Sequence, residues 1–315
     1  MDNVIMVSII CNAYNHERYI RTALDGFVMQ RTDFSIEILV HDDASTDGTA
    51  NIIREYAERY PDIILPIFQK ENQYSQGVSI TFDFQLPRAR GKYVAFCEGD
   101  DYWTDPYKLQ KQVDALERNP EINICTHRAA TERNGIKTGE VPSLQTDTVF
   151  TAEEVIAGGG GFVNTATLML RKSVFAEAYL FSKMMSSDYC SQILGSLNAG
   201  MLYLGDNMAT YRQMTAGSWT ATTYGNREKE EGHMNRVADM LRCLDKDTNY
   251  KYTEVIQKRI EQDMITILKN YNDYKGLLKE PYRAFYQSLS AKEKIKIQIC
   301  ARFPMLVTLR RKLKK

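Results

Sequence analysis

The chain has 315 residues, 43% of them hydrophobic and 25% charged, which is the composition of a globular protein with a sizeable core. Its formal net charge is +0, but residues 291–315 contain nine Lys or Arg and one acid, so this segment carries +8 and residues 1–290 carry −8. A basic segment on an acidic body argues against general nucleic-acid binding and favours a local contact with an anionic partner.

The N-terminal third of the chain alternates buried strands with amphipathic helices. Continuous apolar runs such as residues 4–11 are typical of parallel strands that are buried on both faces. Strands are predicted at residues 4–11, 36–40, 63–68 and 93–97, and helices at residues 15–29 (capped by Asn15), 49–60 and 78–89. This βαβαβαβ order predicts a doubly wound parallel sheet with right-handed crossovers.

The pattern changes after a further helix predicted at residues 105–118. Short strands are predicted at residues 122–126, 165–170 and 201–204, the last followed by a segment at residues 208–212, and a helix is predicted to begin near Asp188. From Asn226 onward the spacing of the apolar residues is helical. We therefore predict one α/β domain at residues 1–220 and a helical C-terminal region at residues 221–315 that ends in a basic tail.

Cysteine and histidine usage bears on the compartment and on metal chemistry. The six cysteines show no metal-ligand spacing and several lie in apolar runs, which favours a reducing compartment. The four histidines form no cluster, so a zinc site is not expected. The N-terminus has no signal-peptide pattern, and no apolar run approaches the ~18 residues that span a bilayer. The sequence thus predicts a cytoplasmic protein.

The turn after the fourth predicted strand contains three acids, Glu98, Asp100 and Asp101. Ligands of open α/β sheets bind at the carboxyl ends of the strands, where this turn is expected to lie. Carboxylates packed together repel one another and are costly to bury, and a divalent cation would offset that cost. Oxygen ligands suit Mg²⁺ or Mn²⁺. The alternative is a solvated acidic turn.

Two other strand ends carry polar residues. Tyr14 follows the first strand, and its ring either stacks on a nucleobase or packs under the sheet. Asp42 and Asp43 follow the second strand, where a carboxylate accepts a base N–H or holds a ribose hydroxyl; helix capping is the alternative. Because the chain has no glycine-rich phosphate loop, a nucleotide would be held by carboxylates and a metal.

Three ordered motifs, at residues 7–15, 37–49 and 91–103, resemble the pattern of glycosyltransferase family 2. The resemblance covers about residues 4–219 and leaves the C-terminal third outside. It implies the GT-A fold, a Rossmann-like α/β fold with a mixed, mainly parallel sheet, here followed by a helical appendage. It also implies an inverting enzyme that binds a nucleotide-sugar diphosphate through Mn²⁺ or Mg²⁺ at an acidic DxD-type motif.

The resemblance assigns roles by position. Ala13, through its backbone, and Tyr14 are expected to line the base pocket. Asp43 is expected to form a hydrogen bond with the edge of the uracil ring. Asp100 is expected near the ribose and the metal, and Asp101 on the metal. The motif departs from the family pattern at its first acid, which is Glu98 in place of Asp.

The resemblance also implies a catalytic base at the start of a later helix, and Asp188 occupies that position. Its usual acidic partner is Ser187 here, and the alternative is that Asp188 is only an N-terminal helix acid. We expect the helix macrodipole to keep Asp188 ionised. Arg212 either reaches the diphosphate or pairs with a structural acid, and Trp103 either stacks on a sugar or lies in the core. Residues 164–167 are candidates for the acceptor side.

The resulting hypothesis is a metal-dependent glycosyltransferase that moves a hexose or N-acetylhexosamine from a UDP-sugar to a glycan or lipid-linked acceptor in surface-polysaccharide synthesis. The apolar and basic tail at residues 304–315 suits the inner face of an anionic membrane, or else is a solvated terminus. One rival is a non-catalytic nucleotide-sugar-binding protein. The other is a sugar-phosphate nucleotidyltransferase, which needs a phosphate loop that residues 12–18 do not supply.

Overall fold

In the computed structural model, which describes residues 4–176, 179–184 and 188–303, ten strands form one mixed sheet. The strands are β1 (Ile5–Ala13), β2 (Ser35–Asp42), β3 (Ile64–Phe68), β4 (Tyr93–Phe96), β5 (Tyr102–Trp103), β6 (Ile124–Arg133), β7 (Ile136–Val141), β8 (Thr148–Phe150), β9 (Met169–Arg171) and β10 (Met201–Arg212). Their order is β3-β2-β1-β4-β9-β6-β10-β5, with β7 paired to β6 and β8 to β10.

Helices cover the sheet and form most of the C-terminal part. They are α1 (Ile20–Val28), α2 (Thr49–Arg59), α3 (Leu86–Arg88), α4 (Lys108–Arg118), α5 (Ala152–Gly158), α6 (Phe181–Met184), α7 (Asp188–Ser196), α8 (Trp219–Thr223), α9 (Arg227–Asp247), α10 (Thr253–Asn270), α11 (Arg283–Ser288) and α12 (Ala291–Arg302). The chain forms two compact units, residues 1–221 and 222–315. Among the described residues, no helix combines the length and apolar character needed to cross a membrane.

The core of the first unit is built on the predicted parallel strands. β1 pairs in parallel with both β2 and β4, and β2 pairs in parallel with β3. Most of their β-branched side chains are buried, as expected for strands covered on both faces. β9 and β5 run antiparallel to their neighbours, so the sheet is mixed. The prediction of an α/β fold with a mainly parallel mixed sheet and C-terminal helices is confirmed.

The prediction that Asn15 caps the first helix is wrong. Helix α1 begins only at Ile20, and Asn15 has a positive φ of 56°. Its side-chain oxygen accepts the backbone N–H of Thr46 at 2.8 Å, and its own N–H donates to the Ser45 hydroxyl at 2.9 Å. Asn15 therefore joins the loop after β1 to the loop after β2, and both loops lie at the carboxyl edge of the sheet.

The helix predicted at residues 78–89 is a π-helix, Ile80–Gln85, that runs into the single turn of α3. Tertiary contacts explain the wider turn, because buried Gln85 donates to the carbonyls of Cys11 and Leu39. Arg88 likewise donates to the carbonyl of Leu65. The segment is shaped to reach strand carbonyls, and π-turns of this kind are frequent at functional sites.

Two strand predictions in the second half also change. The strand predicted at residues 165–170 is a 3₁₀ turn, Thr165–Thr167, followed by β9. The strand predicted at residues 201–204 continues through the segment at residues 208–212 as one long strand, β10. The hairpin of β6 and β7 was not predicted, although its turn, Asn134 and Gly135 with φ of 52° and 78°, is the standard two-residue hairpin signal.

Candidate active site

The acidic turn and the loop after β1 are packed against each other. The backbone N–H of Gly99 donates to the carbonyl of Asn12 at 2.9 Å. A Cβ atom on Gly99 would lie 2.8 Å from Nδ1 of His16 and 3.1 Å from Cβ of Ala13. Only glycine permits this approach, so the residue between Glu98 and Asp100 sets how closely the acids stand to the first strand end.

Residues at the end of β10 hold the two aspartates. Asp101 is 3% exposed, and its Oδ1 accepts the backbone N–H of Arg212 at 2.8 Å. Asp100 accepts the hydroxyl of Thr215 at 2.6 Å, and its backbone carbonyl accepts Nη1 of Arg212 at 2.8 Å. Each carboxylate therefore keeps a second oxygen that none of these bonds uses.

Arg212 serves as an anchor for the acidic turn. Its guanidinium lies 4.3 Å from the ring centre of Tyr102 and 3.6 Å from an oxygen of Glu132. Together with the hydrogen bond to the Asp100 carbonyl, these contacts occupy most of the guanidinium group of Arg212. Of the two interpretations of Arg212, pairing with a structural acid is the one that the geometry favours.

Burial and mutual repulsion raise the pKa values of the acids. Burial, followed by the charges of Asp100 and Asp188, raises the pKa of Glu98 to about 8. Burial and then Asp100 raise the pKa of Asp101 well above its ordinary value. Asn12 opposes the shift at Glu98 because its amide donates to the carboxylate at 3.4 Å. The turn is thus a partly desolvated acid cluster, unlike the solvated turn that was the alternative.

Asp188 is the first residue of α7 and lies close enough to the turn to affect the pKa of Glu98. Its carboxylate accepts the hydroxyl of Thr165 at 2.8 Å and the N–H of Tyr189 at 2.8 Å. Burial raises the pKa of Asp188 and outweighs these two bonds. Burial thus acts against the helix field that was expected to keep Asp188 ionised, and the raised pKa makes Asp188 a stronger base. Ser187 lies outside the described residues.

The base-pocket candidates lie at the ends of β1 and β2. The ring of Tyr14 is 41% exposed, whereas Ala13 is buried and its carbonyl accepts the N–H of Asp43 at 2.9 Å. The two oxygens of Asp43 accept the backbone N–H groups of Gln73 and Tyr74 at 2.8 and 3.0 Å. Asp43 therefore ties the loop after β3 to this edge of the sheet.

Asp42 does not cap α2, the alternative given for this acid pair, because that helix begins only at Thr49; it makes a contact within the turn instead. Its Oδ2 accepts the backbone N–H of Ser45 at 3.3 Å.

Trp103 belongs to the core. It is 2% exposed, its indole N–H donates to the carbonyl of Ala166 at 2.8 Å, and Nζ of buried Lys108 lies 4.0 Å from its ring centre. A ring enclosed in this way presents no face to a sugar, so the stacking suggestion is wrong for this structure. Through Ala166, Trp103 instead supports the 3₁₀ turn that carries Thr165.

Sequence reasoning gave no role to Tyr211 or Thr215. Burial, together with the charges of Asp101, Asp100 and Asp188, raises the pKa of Tyr211, so its hydroxyl lies close enough to these acids to sense their charge. Thr215 contacts Asp100 directly. The signal for both was their proximity in sequence to Arg212, but only the pairing of β10 with β5 brings them to the acidic turn.

The donor set at the turn suits a hard divalent ion that arrives with its ligand. Among the residues that the structure describes, no three His, Cys, Asp or Glu side chains are arranged to hold an ion by themselves. Mg²⁺ is commonly bound by one or two carboxylates together with substrate phosphates. The remaining oxygens of Asp100 and Asp101 fit that mode, and a cation would offset the repulsion that raises the pKa of Asp101.

We expect Glu98 to make metal-free protein less stable as pH rises. Between its ordinary pKa of 4.5 and about 8, the folded protein holds a proton on Glu98 that the unfolded chain has released. The free energy of unfolding therefore falls with rising pH in this window. Glu98→Gln removes the titration, so its Tm, measured in EDTA across the window, is expected to vary less with pH. Parallel profiles for wild type and variant would contradict the assignment.

The fold and the site define an α/β protein with a cluster of acids at the carboxyl edge of its sheet. The model of the family described as "Glycosyl transferase family 2" matches residues 8–177, more than half of the chain. The chain belongs to glycosyltransferase family 2, and it is a glycosyltransferase.

Relatives with curated descriptions support this assignment. The chain is 39% identical to an uncharacterized protein of Mycobacterium tuberculosis over 76% of this chain and 67% of that protein. It is 28% identical to an uncharacterized glycosyltransferase of Nostoc sp. over 71% and 70% of the two chains. A shorter match, 34% identical over 36% and 41%, is to WfaP of Escherichia coli, a UDP-Glc:alpha-D-GlcNAc-diphosphoundecaprenol beta-1,3-glucosyltransferase.

Solved structures share the fold. S. aureus TarS in complex with UDP-GlcNAc matches with a TM-score of 0.60 at 18% identity, over 92% of this chain and 78% of that chain. The mannosyltransferase PcManGT of Pyrobaculum calidifontis, in complex with GDP-Man and Mn²⁺, matches with a TM-score of 0.53 at 14% identity, over 95% and 87%. The predicted GT-A fold is confirmed.

Proposed function

We propose that this glycosyltransferase moves a sugar from a UDP-sugar to a glycan or lipid-linked acceptor, with inversion at the anomeric carbon and with the help of a divalent metal. The observation that carries the proposal is the anchored acidic turn of this family 2 chain, in which Arg212 and Thr215 hold Asp101 and Asp100. Asp188, at the start of α7, is near enough to this turn to help raise the pKa of Glu98. A base near the diphosphate-binding acids is what direct displacement at the anomeric carbon requires.

The donor is a UDP-hexose or UDP-N-acetylhexosamine. WfaP is named for UDP-Glc, and TarS binds UDP-GlcNAc. In this chain the uracil would meet Tyr14 and the backbone of Ala13, with Asp43 at its edge and Asp100 near the ribose. Both oxygens of Asp43 already accept loop N–H groups, and each has a further lone pair for a base N–H.

Asp101, with Asp100, is the metal-binding candidate. When bound, Mn²⁺ or Mg²⁺ would neutralise charge on the leaving diphosphate. The chain's own contribution is to hold both carboxylates through Arg212 and Thr215, so that their free oxygens stay in one position.

Asp188 is the proposed general base. It takes the proton of the acceptor hydroxyl while that oxygen bonds to the anomeric carbon and the bond to the UDP oxygen breaks. Burial raises its pKa, and this favours proton transfer. Thr165 fixes the orientation of the carboxylate, and the neighbouring amide of Asn164 is buried without a hydrogen-bond partner in the described residues, so an acceptor oxygen would satisfy it.

A donor panel tests the proposal. Hydrolysis and binding of UDP- and GDP-sugars are measured with Mn²⁺ and with EDTA. We expect metal-dependent turnover of one UDP-sugar and faster turnover with a diphospholipid-linked sugar acceptor. Metal-dependent UDP binding without turnover under any acceptor would favour the non-catalytic binder. Release of pyrophosphate from a nucleoside triphosphate and a sugar phosphate would favour the nucleotidyltransferase. Absence of nucleotide binding would refute the proposal.

A further inference from the structure

Helix α12 has apolar residues on two opposite faces. Ile297 and Ala301 are buried, and Ile297 packs in the small core of the second unit. Ile295, Ile299 and Phe303 are 56%, 47% and 53% exposed. Residues four apart lie on one side of a helix, whereas Ile297 lies on the other. The core of the second unit therefore accounts for one apolar face of α12, and the other faces solvent.

Basic residues border this exposed face. Lys292, Lys296 and Arg302 are exposed, and the only acid in the helix is Glu293. Glu293 is turned back to close a capping box with Ser290, accepting its N–H at 3.1 Å. The exposed face is therefore a row of large apolar side chains flanked by cations, with the one carboxylate held at the helix start.

We propose that this face of α12 docks on the surface of an anionic lipid bilayer, with the helix axis parallel to the membrane. Apolar side chains enter the boundary between headgroups and acyl chains, while lysine and arginine side chains extend to the lipid phosphates. Further basic residues follow α12 in the sequence, at residues 310–315. The inference is independent of the proposed donor, metal and base.

Charge argues for lipid over a second copy of the chain. Residues 291–303 carry four basic side chains and one acid. Two such faces brought together would place cations against cations, which is destabilising. An anionic surface instead attracts each cation, by about five-fold in affinity per Lys or Arg.

Flotation with vesicles tests the proposal. The full chain is mixed with vesicles of phosphatidylcholine alone or with a minor fraction of phosphatidylglycerol. We expect binding only to the anionic vesicles, weakening with salt. The double variant Ile295→Gln, Ile299→Gln is expected to bind at least about ten-fold more weakly. Lys292→Gln with Lys296→Gln is expected to bind roughly 25-fold more weakly.

Matched controls separate the helix from other surfaces. Ile136→Gln removes a 69% exposed isoleucine from the β6–β7 hairpin and should leave vesicle binding unchanged. A chain that ends at Phe303 should keep a weaker preference for anionic vesicles. All variants should retain wild-type Tm and donor hydrolysis, which makes failure of docking distinguishable from failure of the proposed reaction.

Four results would overturn the proposal. They are absence of binding to either vesicle, equal binding to both, loss of all binding in the chain that ends at Phe303, and self-association abolished by the double isoleucine variant.

Discussion

Asp188→Asn is expected to lower kcat by about 10²–10⁴-fold while donor binding stays within a few-fold of wild type. The amide is the same size, and its single oxygen can still accept one of the two bonds, from the Thr165 hydroxyl or from the N–H of Tyr189. It cannot take up the acceptor proton, and that proton then has no acceptor in the transition state. Transfer kinetics and UDP affinity, measured on the same preparation, separate the two effects.

A matched variant addresses the alternative that Asp188 is only an N-terminal helix acid. Glu153 is an exposed acid in the first turn of α5, so Glu153→Gln removes a helix-terminal charge away from the site. It should cost a few tenths of a kcal/mol of stability and no activity. If Asp188→Asn behaves in the same way, Asp188 is not the base.

Variants of Thr165 distinguish an effect on the orientation of the Asp188 carboxylate from an effect on its proton transfer. Thr165→Val deletes a bond that lowers the pKa of Asp188, so the acidic limb of the pH–kcat profile should move to higher pH. Thr165→Ser keeps the hydroxyl and should keep the wild-type profile. A loss of kcat in Thr165→Val without a shift of the profile would indicate a purely structural effect.

Asp101→Asn is expected to reduce metal-dependent turnover by about 10²-fold or more and to raise the Tm of the metal-free protein by a few degrees. The amide oxygen still accepts the Arg212 N–H, so the turn keeps its anchor. The buried charge, whose cost is reflected in the raised pKa, is removed. Stability and activity should therefore move in opposite directions.

Asp114→Asn is the control for this change of acid to amide. Asp114 lies on the exposed face of α4 and accepts only a surface Gln110 bond. Neither Tm nor turnover should change measurably. If Asp101→Asn turns over at the wild-type rate in Mn²⁺, and also at the wild-type rate in EDTA, Asp101 is not part of the metal site.

Strands β1 to β4 are predictable because each is a run of apolar residues that ends in a turn. The acids directly follow these strands in the sequence. The anchors of the acids are not predictable in this way. Arg212 and Thr215 reach Asp101 and Asp100 only through the antiparallel pairing of β10 with β5, and β5 is two residues long. A strand of that length leaves no periodicity to detect.

Local rules fail where distant groups compete for the same polar atoms. Asn15 is a good helix cap by type, but the loop after β2 takes its side chain. Gln85 and Arg88 are good helix formers, but strand carbonyls draw their segment into a π-turn. These departures from local helix preference lie beside the site, where the side chains make hydrogen bonds that join separate segments. The roles of the individual site residues stay predictions until the variants are measured.

The hydrogen bonds that Arg212 and Thr215 make to the acidic turn also determine when this turn becomes anchored during synthesis of the chain. The Asp101–Arg212 and Asp100–Thr215 bonds span 111 and 115 residues of chain. At a synthesis rate of roughly 10 residues per second, the acidic turn leaves the ribosome about ten seconds before its anchors exist. During that interval the nascent chain has β1 to β4 but an unsupported turn. The acidic turn therefore gains its last anchor late in synthesis, when Thr215 has emerged.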